Sequence, residues 1–259
     1  MVTQGEQTGL YLSGQPVKVK ECNIVIIPPK IKDIVLFGED NFLIGTNLLG
    51  HTDKIVNKIK EGNPLLESYD DFQLLLIMLK EESTIKETVL DFLSFICPDY
   101  IVELTDNAIQ FFIIQDEIKK LIGQIYPFNF KNFQIILNDL FEIQQKDKSE
   151  PDYNPINEAA AAIAKKIEAG RARKKQRQLQ TESPQSIFGR YASILSIGMH
   201  MDINIFFNYT PFQLCDAFNR YFLKVQHDLY MKVSTTPLMD VSSMEQPEAW
   251  TDNLYDNKK

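Results

Sequence analysis

Signatures of catalysis and cofactor binding are missing from this chain. It has no Gly-rich phosphate loop, neither G-x-G-x-x-G nor G-x-x-x-x-G-K-[ST], so the familiar sequence cues for nucleotide binding are absent. No serine sits in G-x-S-x-G, and no cysteine has a histidine beside it to form a nucleophile pair. Cys22, Cys97 and Cys215 lie far apart in apolar contexts and in no C-x-x-C pair, which argues against a disulfide framework and for reduced core thiols. His51, His200 and His227 are scattered, and none sits in H-E-x-x-H. His200 and Asp202 offer two metal ligands where a site needs three or more, so His200 reads as a helix-end residue, and His227-Asp228 reads the same way. The longest apolar runs, such as Leu74 to Leu79 and Phe111 to Ile114, are far too short to span a bilayer. The first residues show no basic stretch followed by an apolar one, so no secretory signal is expected. These absences point to a cytoplasmic protein without cofactor, metal or catalytic residue.

The carboxylates that are present fit a structural role. Asp70-Asp71 and Glu81-Glu82 are paired acids, and glycosidase or metal chemistry would need them in a pocket with their pKa values driven apart. Adjacent acids at a helix start and end read instead as solvated caps. The chain has 259 residues and a net charge of -8, which argues against a general nucleic-acid binder. That charge is uneven. Lys165, Lys166, Arg171, Arg173, Lys174, Lys175 and Arg177 crowd into one segment whose only acid is Glu168. Three readings of this run stand: a solvated helix face, a docking surface for an acidic protein or a copy of this chain, and nucleic-acid binding. The last lacks the interleaved aromatics that stack on bases.

The periodicity predicts a mainly α (α+β) protein. Residues 1–12 read as a loose polar arm. Val17 and Val19 alternate with Lys18 and Lys20, and Ile24 to Ile27 is a β-branched run, so a small hairpin is expected near residues 17–27, stopped by Pro28-Pro29. Ile31, Ile34, Val35 and Gly38 share a helical face that Phe42 extends. Further helices are expected over 51–61, from Asp70 or Asp71 through Lys80, over 83–97, over 116–124 and over 130–145. Tyr100 to Leu104 fits a strand or a turn, and β-branched and aromatic content favours a strand at 108–114. A polar stretch with two prolines over 146–155 marks a boundary. The expected domains are 1–150, a linker helix over 151–183, a helical C-terminal domain over 184–235 and a polar tail over 236–259.

The linker runs from Asn154 to Gln180, with Pro155 in its first turn and cations towards its end, an arrangement that suits the helix dipole. Unbroken, it would be about 40 Å long. Ala159, Ala160, Ile163, Ala164 and Ile167 form a stripe too narrow for a full core. A helix over 185–199 is expected to turn Ile187, Tyr191, Ile194 and Leu195 inward. Thr210-Pro211 opens the last helix, with a capping hydroxyl and Pro at the first position. Phe212, Leu214, Phe218, Tyr221, Phe222, Val225 and Leu229 make it apolar around much of its circumference, so it is expected to be well buried. Trp250 is the one docking residue expected in the tail.

Two segments resemble a known group of proteins: Ile26-Ile-Pro-Pro-Lys-Ile-Lys-Asp-Ile34 with the following Gly38 and Phe42, and Asn208-Tyr-Thr-Pro-Phe-Gln-Leu-Cys-Asp-Ala-Phe-Asn-Arg-Tyr-Phe222 after an Ala/Lys/Arg-rich linker. Together they cover about a third of the chain and are similar to the tail assembly chaperones and baseplate-hub assembly proteins of double-stranded DNA phages. The resemblance implies a non-enzymatic factor that binds tape-measure or baseplate-hub proteins, with self-association possible, located in the host cytoplasm or in the virion tail. The alternative is a structural baseplate subunit. An assembly factor of this kind would cover a partner's exposed apolar helix. The surfaces expected to serve are the seven basic linker residues, Phe212, Phe218, Phe222 and Trp250. For the phenylalanines, burial in the core is the competing reading.

Overall fold

A computed structural model describes residues 4–62, 66–141, 186–236 and 249–251. In chain order the elements are α1 (Gln4–Ser13), β1 (Val17–Val19), β2 (Ile24–Ile26), α2 (Ile31–Phe37), α3 (Glu39–Gly50), α4 (Thr52–Gly62), α5 (Asp71–Glu81), α6 (Ser83–Ile96), β3 (Ile101–Leu104), β4 (Ile109–Gln115), β5 (Ile118–Ile125), α7 (Pro127–Phe141), α8 (Ile187–Met199), α9 (Ile203–Phe207) and α10 (Pro211–Ser234). The fold is mainly α with two small antiparallel sheets, β1-β2 and β3-β4-β5. Met1–Ile143 and Tyr191–Lys259 form one compact unit and Gln144–Arg190 a second. The C-terminal helices from Tyr191 onward thus belong to the same unit as Met1–Ile143. The expected linker helix over 151–183 lies outside the described residues. Among the described residues no helix is long and apolar enough to cross a membrane.

Local signals explain most boundaries. The hairpin near 17–27 forms with Val17 opposite Ile26 and Val19 opposite Ile24. Asn23 takes a positive φ of 53° in its turn, which asparagine tolerates better than most residues. The stretch expected as one helical face from Ile31 to Phe42 breaks into α2 and α3 at Gly38, whose φ of 102° no side-chain-bearing residue adopts readily. Asp70 accepts from Gln73 N–H while Gln73 accepts from Asp70 N–H, a reciprocal capping box that starts α5. In the second unit the described residues are 186–190, where Ser186 Oγ accepts from Gly189 N–H at 2.7 Å and starts α8.

The core is rich in phenylalanine. Phe42 meets Phe92, Phe95 and Phe141 edge-on, with ring centroids 5.5, 6.3 and 5.4 Å away, and Phe37 stacks on Phe95 at 4.3 Å. A Cβ on Gly45 would run into the Phe92 ring, so this glycine lets α3 and α6 close on each other. Polar side chains of α7 then tie elements together. Asn129 Nδ2 donates to Glu21 O at 3.0 Å and to Gln124 O at 2.9 Å, while its Oδ1 accepts from Tyr126 N–H at 2.8 Å. Gln134 Nε2 and Asn138 Nδ2 donate to Leu49 O and Gly50 O, carbonyls at the C-terminal end of α3 that lack partners within the helix.

Three expectations are overturned. Residues 1–12 are not a loose arm: α1 packs on α10, Tyr11 is buried, and Gln213 Nε2 donates to Leu12 O at 2.7 Å. The segment 116–124 is not helical. Asp116 and Glu117 take positive φ values of 52° and 62° in a tight turn, and β5 pairs with β4 from Gln115↔Ile118 onward. Finally, α10 is not buried along its length. Its buried residues, Pro211, Leu214 and Asp216, all lie in its first two turns.

Candidate functional site

Helix α10 is 24 residues long, about 36 Å, and its two halves have different surroundings. Its start is built firmly. Thr210 Oγ1 accepts from Gln213 N–H, Gln213 Oε1 accepts from Thr210 N–H at 2.8 Å, and Pro211 occupies the first turn. Phe212 packs edge-on against Tyr11 of α1 at 5.5 Å, and α7 packs on the same helix.

The next turn meets α8. Phe218 stacks face to face on Tyr191 at 4.2 Å with the rings 5° from parallel. Tyr221 lies on Gly198, where a Cβ would collide with its ring. Ala192 and Leu195 of α8 are buried, whereas Ile194, expected to face inward, is exposed. Helix α8 ends at Met199, and His200 turns the chain away with a φ of 54°. Asp202 then caps α9, its Oδ1 accepting from Asn204 N–H at 2.9 Å. His200 and Asp202 therefore sit in a helix-to-helix turn.

Beyond that joint no described residue covers the apolar stripe of α10. Phe218, Phe222, Val225 and Leu229 follow one another at spacings of four, three and four residues, the spacing that keeps side chains on one face. Phe222 is 52% exposed, Val225 44% and Leu229 59%, against complete burial for Leu214 on the same helix. Ile197, near the end of α8, is 72% exposed. Phe222, Val225 and Leu229 thus carry the apolar face of α10 past the α8 contact and out to solvent, while Ile197 lies on the face of α8 opposite its buried Ala192 and Leu195.

Of the residues singled out in the sequence, Lys165, Lys166, Arg171, Arg173, Lys174, Lys175 and Arg177 lie outside the described residues. Phe212 and Phe218 are packed against aromatic partners within the fold, and Phe222 is on the exposed stripe. Trp250 docks through its main chain, its carbonyl accepting from Arg220 Nη1 at 3.0 Å. Protein-family models, curated proteins and solved structures give no match to this chain. Val225 and Leu229 are the stripe residues that the sequence pattern assigned to the core. Their helical spacing was visible, but the point at which α8 stops covering them was not.

A concavity of about 330 Å³ lies between α5 and the β3–β4 turn, lined by Tyr69, Gln73, Leu76, Ile77, Lys80, Asp106, Asn107 and Pro127. Its two charges face each other. Lys80 Nζ donates to Asp106 Oδ1 at 2.8 Å, and this hydrogen bond, helped by the lysine's charge, holds the Asp106 carboxyl below the usual range. The lining contains no histidine, serine or thiol. Among the described residues no group of three His, Cys, Asp or Glu is placed to hold a metal ion. Burial raises the thiols of Cys22 and Cys215 to about 12 and that of Cys97 further, which suits packing and opposes nucleophilic chemistry.

Proposed function

We propose that this protein is a non-enzymatic assembly factor that holds an amphipathic helix of a partner against the uncovered half of α10. The supporting observation is the single stripe from Phe218 to Leu229, covered by α8 at one end and open at the other. A helix laid along Phe222, Val225 and Leu229 would continue the packing that α8 begins, by the helix-in-groove mode of recognition. The proposed setting is tail or baseplate morphogenesis of a double-stranded DNA phage, with a tape-measure or hub protein as partner in the host cytoplasm. That setting rests on the resemblance of the segments 26–34 and 208–222, the second of which opens α10 itself.

The test is mass spectrometry of proteins that co-purify with the tagged chain from its native cells, beside the composition of finished particles. Recovery of a long helical tail protein, lost in a Leu229→Asp variant, with the chain absent from particles, is the expected result. Presence in particles would make it a structural baseplate subunit. Recovery of nucleic acid instead of a protein partner would overturn the assembly reading.

A further inference from the structure

We propose that the partner helix carries acidic side chains along one flank of its apolar stripe. This rests on the reading of α10 as a helix-docking surface. Lys224, Asp228 and Lys232 follow each other at four-residue spacing along one side of the stripe, and all three are exposed. On the other side the neighbouring positions are Asn219 and Gln226, which carry no charge. Arg220 and His227 fall on the far face of the helix by its 3.6-residue period. Arg220 is moreover held by Asp216, with Nε 3.1 Å from each carboxylate oxygen.

The flank therefore presents two lysines to one carboxylate in a chain whose net charge is -8. A helix with acids on the matching side gains two attractions for one repulsion, and a helix with bases there meets the reverse. Charges at the rim of an apolar contact act in this way on orientation and partner choice.

Two synthetic peptides of about three heptads, with the same leucine stripe and either Glu or Lys on the flanks, would be titrated against the full chain by fluorescence anisotropy at low and high salt. The Glu peptide is expected to bind roughly ten-fold tighter at low salt, with the gap closing as salt rises. The variant carrying Lys224→Glu and Lys232→Glu should reverse the preference, and Leu229→Asp should weaken both peptides. Equal binding, or tighter binding of the Lys peptide, with Leu229 still required, overturns the charge assignment and leaves helix docking standing. Failure of both peptides to bind, or binding indifferent to Leu229→Asp, removes the docking surface itself. Self-association through Leu229 in sedimentation, with neither peptide competing, would make a second copy the occupant. Circular dichroism of each variant separates lost binding from lost folding.

Discussion

Gly123 illustrates how one residue sets the joint between the two sheets. Strand β5 passes beneath the turn of the first hairpin, where Gln124 N–H donates to Cys22 O at 3.1 Å and Asn23 Nδ2 donates to Ile122 O at 2.6 Å. A Cβ at position 123 would collide with the Cys22 carbonyl and come within 2.8 Å of the Asn23 carbonyl, and these are backbone atoms that cannot rotate aside. Gly123→Ala is therefore expected to destabilise the protein by about 1–3 kcal/mol, read as a lower urea midpoint at unchanged slope. Gly9, in α1, has nothing within 4 Å of where a Cβ would sit. Gly9→Ala should be neutral or stabilising by up to about 1 kcal/mol, so the pair separates a packing cost from a propensity gain.

Among the elements, α10 has a fixed start and an open end. The capping box at Thr210 and Gln213 satisfies donors that the helix leaves unpaired, and Thr210→Ala should cost about 1 kcal/mol by thermal or urea denaturation. Hydrogen exchange should show a gradient, with amides near Leu214 protected close to the global limit and those beyond Leu229 opening first. Uniform protection along the helix would mean that its far half is covered after all. Helix α1 depends on α10 in turn. Tyr11 is 4% exposed and edge-on to Phe212, and Gly14, at a φ of 66°, lets Thr210 and Gln213 approach within 3.2 Å of where its Cβ would be. Tyr11→Ala should destabilise by about 3 kcal/mol, by analogy with other large aromatic truncations, and should also deprotect α1.

The burial of several weak acids makes the stability of the whole molecule pH-dependent on the alkaline side. Cys22, Cys215 and Tyr11 are all raised to about 12, chiefly by desolvation, from ordinary values of 9.0 for the thiols and 10.0 for the phenol. A folded-state pKa above the unfolded one gives stability that is fully present below the unfolded value and is lost as pH rises towards the folded value. Unfolding free energy should thus be level near neutrality and fall from about pH 9 upward, by about 1.4 kcal/mol per pH unit for each thiol titrating only in the unfolded chain. Urea unfolding under reducing conditions across that range measures it, and Cys22→Val should flatten the fall. A stability level through pH 11 would contradict the burial of these thiols. Asp106 works in the opposite direction. Its pKa is lowered by Lys80, so its contribution is present above the unfolded value and is lost as pH falls through the folded one. Because this pair is exposed, its effect is screened by solvent and salt.

Periodicity and punctuation by themselves determined the first hairpin, helices α5 and α6, and the start of α10, because hydrophobic spacing, prolines and capping residues act within a few positions along the chain. What they could not determine depended on distant residues. Ile118, Leu121, Ile122 and Ile125 are spaced as in a helix, yet they form β5. The register shifts between Phe111↔Gly123 and Phe112↔Leu121, and this bulge at Ile122 hides the two-residue alternation. The polar sequence of α1 gave no sign of its partner, α10, against which Tyr11 is buried. The apolar circumference of α10 announced that something packs on it. Only the tertiary structure decided which part of that surface the described residues cover, because α8 ends at Met199 while the stripe runs on to Leu229.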